Sequence, residues 1–210
     1  MITVHHLNNS RSQRVLWLLE ELDLPYEVVR YQRRASMAAP PELKRIHPLG
    51  KSPVIEDRSD EERIILVETG AICEYLVGKA HRLGEPTAPT NKILYRQFLH
   101  YAEGSVMPLL FALLVAGKIP LLGRIAVNRL QPMLNVHLDF IEDELTDHGW
   151  FAGDSLSAAD VMMSFPLEAA SARGLLGHTH PAIRRWLQTI HDRPAYHRAL
   201  EKGGSYDFTD

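Results

Sequence analysis

Three short stretches gather polar and charged residues, each where a strand pattern and a turn or helix meet. Asn8-Asn9-Ser10-Arg11-Ser12 follows the apolar run Ile2–Leu7. Its amides and hydroxyls suit a helix start, where unpaired backbone N–H groups and the helix dipole favour negative charge. Lys51-Ser52-Pro53 precedes the apolar pair Val54-Ile55. A proline there cannot donate to a sheet, so it either starts an edge strand or turns the chain for another purpose. Glu68-Thr69 closes the run Ile64–Val67 and opens a helical pattern. Each stretch also has a plain reading as a cap, a turn or a solvated charge.

Other chemistry is poorly supported. The eleven histidines show no HExxH or similar ligand spacing, so no metal site is expected. Cys73 is the only cysteine. It excludes an intrachain disulfide and fits a reducing, cytoplasmic setting. Ile72 and Leu76 lie close to it on a helical pattern, which predicts a buried structural thiol. Ser157-Ala158-Ala159-Asp160 reads as a capping box with Asp in place of Glu, a folding device.

Strands and helices must position these groups. Residues 2–7 and Tyr26–Tyr31 read as strands joined by a helix with Val15, Leu18, Leu19 and Leu22 on one face. That spacing predicts a right-handed crossover and parallel pairing. Pro40-Pro41 opens a short helix carrying Leu43 and Ile46. Residues 53–57 and Ile64–Val67 form an antiparallel hairpin around the polar turn 58–63, and a helix follows from Thr69. The order is β-α-β-α-β-β-α over residues 1–83. Residues 84–90, rich in Pro, Gly and Thr, read as a linker. Residues 91–210 read as an all-helical domain, with helices over 91–117, 124–145, 157–172, 181–190 and 194–202.

The chain has 210 residues, 45% apolar and 23% charged, with net charge −3. It is long enough for two small cores. The missing basic excess argues against nucleic acid as a partner. The N-terminus lacks a signal-peptide pattern, and the longest apolar run, residues 107–117, is too short to span a bilayer. No membrane partner is expected.

The first domain's order matches a thioredoxin-like fold, yet the loop after the first strand holds no cysteine, so disulfide chemistry of the thioredoxin kind is excluded. Four segments resemble the cytosolic glutathione S-transferases, in a branch known from fungi and bacteria: "HHLNNSRSQRVLWLLEEL", "HPLGKSPVIED", "ETGAICEYL" and "GDSLSAADVMM". They run in the family's order over essentially the whole chain.

This resemblance implies a set of roles. Pro53 is cis and presents the Ser52 peptide to the cysteinyl backbone of glutathione. Lys51 meets the glycyl carboxylate. Thr69 and the helix start hold the γ-glutamyl carboxylate, and Glu68 pairs with its ammonium. The thiolate is held by Ser10, with Asn9 as the alternate, backbone N–H groups as a third route and Arg11 assisting. Tyr and Cys, which many relatives use, are absent from residues 1–12. Met107, Phe111, Phe165 and Phe208 fall where the family binds a hydrophobic electrophile, although any of them also suits a core. Glutathione is the co-substrate, a homodimer is the expected assembly, and no metal is needed. Glutathione-dependent peroxidase, thiol reductase, isomerase and non-catalytic binding module stay open beside transferase.

Overall fold

A computed structural model describes residues 1–59 and 62–209. The turn expected at 58–63 lies partly outside the described residues. By packing, the chain divides into one unit of residues 1–84 with 190–210, and a second of residues 85–189.

The first unit is built on a four-stranded sheet of order β2-β1-β3-β4: β1 (Ile2–Leu7), β2 (Tyr26–Tyr31), β3 (Val54–Asp57) and β4 (Ile64–Val67). β1 and β2 pair in parallel, as a crossover through helix α1 (Ser12–Glu21) requires. β3 is antiparallel to both β1 and β4. It is therefore an interior strand, and Pro53 stands just outside it. The expected second helix is only a 3-10 turn, Pro41–Arg45. Only six residues separate Pro41 from Pro48, which leaves no room for α-helical propagation.

α1 departs from the one-sided pattern read in its sequence. All ten of its residues are buried. The sheet takes one face, α2 (Thr69–Ala80) packs on it, and α8 (Pro194–Gly203) closes over the remainder. The approach of α8 is close. A Cβ on Gly203 would meet Gln13 Oε1 at 2.8 Å and Leu16 Cδ1 at 3.0 Å. Burial of Glu20 and Glu21 is offset by Arg198 (2.6 Å), Lys202 (2.6 Å) and Arg193 (2.5 Å). The last helix thus packs with the first unit, whereas the sequence grouped it with the helical domain.

In the second unit, α3 (Pro89–Tyr101), a π turn (Ala102–Val106) and α4 (Met107–Gly117) replace the single helix expected over 91–117. Pro108 lacks the N–H that would continue the α ladder, which accounts for the break in register. Among the described residues this run, Pro89–Gly117, is the one helical stretch apolar and long enough to meet the criterion for a membrane span. Its buried residues, including Phe98 and Leu110, pack toward α5 (Leu122–His148) and α6 (Ala158–Ala172). α7 (Pro181–His191) follows. The capping box is formed, with Ser157 at the N-cap and Asp160 fully buried.

Candidate functional site

The sheet register brings the three polar stretches to one end. His5 pairs with Val54, and Val54 pairs with Val67. From that rung β1 runs on into residues 8–11, β3 is entered from Ser52-Pro53, and β4 leaves into Glu68-Thr69. Strand direction alone therefore gathers the donors from three separate segments.

The Ser52–Pro53 bond is cis, as the resemblance implied. The Ser52 hydroxyl donates to His5 O at 2.8 Å and accepts from Leu7 N at 3.2 Å. It occupies the rung that a longer β3 would have used on β1. Among the described residues the Ser52 backbone N–H and C=O have no partner within the chain. They remain available for an extended ligand backbone. Lys51 is exposed and Pro53 buried.

Glu68 is exposed, with φ +67° and ψ 119°. That conformation is uncommon for a side chain larger than glycine's, and such strain gathers at functional sites. Its carbonyl accepts from Ile72 N at 2.9 Å, which starts the helical ladder. The N–H groups of Thr69, Gly70 and Ala71 are the orphan donors of α2. Thr69 is buried beside them.

Asn9 and Ser10 differ sharply. Ser10 is buried, and its hydroxyl donates to Leu7 O at 2.7 Å. It also accepts from Ser12 N at 3.3 Å and lies 2.8 Å from Ser12 Oγ. Ser12 continues to His6 Nδ1 at 2.9 Å. Burial lowers the His6 pKa to about 4, with Arg30 adding to the effect, so the ring is neutral at pH 7. Ser10's single proton is thus committed to fixing the loop. Asn9 is half-buried at φ +50°, a region asparagine tolerates. Its Oδ1 accepts from Asp207 N at 2.9 Å, and its Nδ2 donates to Asp207 Oδ2 at 2.6 Å. The second Nδ2 hydrogen is not used by this bond. Arg11 is the N-cap of α1, without a side-chain capping bond.

Arg33 was missed by the sequence reading. Its Nε donates to Asn8 O at 3.2 Å, and its terminal nitrogens donate to Asn9 O (3.1 Å) and Met37 O (2.9 Å). It clamps the loop from β2. Burial lowers its pKa, and the Arg11 charge lowers it further, so both cations act on the same loop. The parallel pairing of Leu7 with Tyr31 is the one signal that could have put residue 33 beside residues 8 and 9. Asp207, 198 positions away in sequence, had no such signal.

The hydrophobic candidates are unequal. Met107 and Phe165 are buried, while Phe111 is 61% exposed. Phe208 belongs to the first unit, is half-buried and stacks edge-on against Tyr206 at 5.2 Å. It adjoins Asp207 and so shares the neighbourhood of Asn9. Cys73 is fully buried, and burial pushes its thiol up to about 12. It stays protonated and structural.

The chain as a whole resembles known proteins. Residues 1–78 match the family model for the glutathione S-transferase N-terminal domain, and residues 107–194 match that for the C-terminal domain. Glutathione S-transferase 1 of Saccharomyces cerevisiae is 37% identical, over 96% of this chain and 95% of its own. A crystal structure of a glutathione S-transferase from Actinobacillus pleuropneumoniae superposes with a TM-score of 0.86 at 33% identity, covering 100% of this chain and 96% of its own. A transferase family member from Pseudomonas fluorescens, solved with two glutathione bound, has a TM-score of 0.79 at 24% identity over 95% of this chain and 92% of its own. With both halves matched and a relative more than one-third identical almost from end to end, the chain belongs to the glutathione S-transferase family.

Proposed function

We propose that this enzyme adds the thiolate of glutathione to a small hydrophobic electrophile. The observation that carries the reading is the common sheet end of the Ser52 peptide, the α2 N-terminus and the Asn9 loop. Glutathione offers a matching sequence of groups. Its γ-glutamyl carboxylate meets the orphan N–H groups of α2, with Glu68 beside its ammonium. Its cysteinyl backbone pairs with the free Ser52 N–H and C=O, and Lys51 meets its glycyl carboxylate. The glutathione held by the Pseudomonas fluorescens relative supports the ligand class.

The thiol of glutathione, like a free cysteine, has a pKa of about 8.5, so little of it is thiolate near neutrality. Lowering it by two units takes about 2.7 kcal/mol. One hydrogen bond to a charged acceptor supplies roughly 1.5–3 kcal/mol, and a helix N-terminus up to about 1. The spare Nδ2 hydrogen of Asn9 and the α1 N-terminus therefore suffice, with Arg11 and Arg33 adding positive potential. Ser10, the donor favoured on sequence, is reassigned to holding the loop, because its proton already goes to Leu7 O. Phe208, half-buried and next to Asp207 in the same unit as Asn9, offers apolar surface for the electrophile.

Glu68→Ala should weaken glutathione binding more than tenfold in calorimetry, about 1.4 kcal/mol, with the fold retained. Unchanged affinity would overturn the site. A panel of aryl halides, enals, peroxides and mixed disulfides, assayed with glutathione, separates transfer from peroxidase or reductase action. The proposed assembly is a cytoplasmic homodimer. Sedimentation at micromolar concentration should give twice the monomer mass of 23.8 kDa.

A further inference from the structure

We propose that the turn joining α4 to α5 docks this enzyme on an anionic lipid surface. The turn holds its apolar side chains in the open: Leu121 is 91% exposed, Leu122 71%, Ile125 56% and Ile119 49%. Leu121 also sits at φ +60°. For a leucine this backbone is costly, and the exposed side chain recovers nothing by packing. Such a patch marks an interaction surface.

The turn is held firmly. Gly123 is buried where a Cβ would lie 2.0 Å from Ala116 O, so the first turn of α5 presses against the end of α4. Leu122 N donates to Pro120 O at 2.7 Å. The leucines therefore project from a rigid helical hairpin.

Charge selects the partner. Between Gly104 and Leu138 there is no Asp or Glu, while Lys118, Arg124 and Arg129 are present. All three are exposed. This stretch is purely basic within a chain whose net charge is −3. An apolar tip flanked by basic side chains is the pattern that enters the headgroup layer, with leucines among the acyl chains and cationic heads beside the phosphates. A projecting hairpin tip suits a deformable lipid surface better than the broad flat contact of a second copy. The sequence argued against a membrane partner from the lack of a signal-peptide pattern and of a spanning run, and a tip that dips into one leaflet needs neither.

The test is flotation of the full chain with vesicles of phosphatidylcholine and phosphatidylserine in about a 2:1 ratio, against phosphatidylcholine alone. Binding is expected only with phosphatidylserine and should weaken with added salt. Leu121→Asp/Leu122→Asp and, separately, Lys118→Glu/Arg124→Glu/Arg129→Glu should each reduce it at least tenfold while glutathione affinity stays unchanged. Leu121→Ser/Leu122→Ser repeats the test with a milder change if the Asp variant fails to fold. No flotation with the phosphatidylserine vesicles overturns the proposal, as does equal binding to both vesicle types. Loss of oligomer mass in the Leu121 and Leu122 variants without loss of flotation also overturns it, by making the tip a contact between copies.

Discussion

Asp160 allows a worked prediction, because its carboxylate gathers donors from both Phe151 and Ser157, with the Trp186 side chain also acting on it. Oδ1 accepts Phe151 N at 3.0 Å, and Oδ2 accepts Ser157 N at 2.9 Å and Ser157 Oγ at 2.9 Å. Asp160→Ala leaves two buried N–H groups and a hydroxyl without this acceptor. At about 1–3 kcal/mol for each stranded amide, the loss is roughly 3–5 kcal/mol. Asp160→Asn keeps one carbonyl oxygen and turns an NH2 toward the other amide, so one N–H is stranded and the loss is about 2 kcal/mol. Urea unfolding followed by tryptophan emission measures this, since Trp150 and Trp186 both lie in the second unit. The pH dependence supplies a second arm. Burial lifts the Asp160 carboxyl from 3.8 to about 6, despite the pull of its donors. The folded state then binds this proton more tightly than the unfolded state. Stability from this group is full below about pH 4 and falls by roughly 3 kcal/mol as pH rises to 6. The Asn variant cannot titrate, so its deficit against wild type should widen as pH falls from 6 to 4. An Asn variant within about 0.5 kcal/mol of wild type at both pH values would refute the assignment of the box as an anchor of α6.

Two further outcomes follow from the first unit. Asn9→Ala should raise the pKa of bound glutathione by a unit or more, read from thiolate absorbance, while Ser10→Ala should chiefly lower stability. The reverse pattern would return the donor role to Ser10. Burial tends to raise the Asp57 pKa, but bonds from Ser59 (2.5 and 2.8 Å) and Tyr75 (2.8 Å), with Lys79 at 3.1 Å, hold it below the ordinary range. Its stabilisation is present above about pH 4 and lost as pH falls further, so Asp57→Asn should flatten the acid limb of the stability curve. An unaltered acid limb would show that these bonds are not coupled to folding.

Local chemistry, which needs only neighbours in sequence, was legible from the start. The apolar period of α1, the Ser157–Asp160 box and the Glu68-Thr69 helix start are written within a few residues each. So were the succession of the four strands and the pairing of β1 with β2 and of β3 with β4, because spacing constrains which connections can be parallel. The segment 47–57 by itself allowed a trans or a cis proline, and the family resemblance implied the cis form found in the fold. Contacts made at a distance decided the rest. α1 reads as a helix with one apolar face because nothing near it announces α8, which arrives from residue 194 onward and buries the other side. Ser10 and Asn9 are adjacent and both able to donate, and the sequence favoured Ser10 with Asn9 as the alternate. The fold turns one hydroxyl inward to Leu7 O and leaves the amide outside with Asp207. Which of two neighbouring donors faces a ligand depends on backbone dihedrals and on partners far along the chain, so only the tertiary structure could decide it.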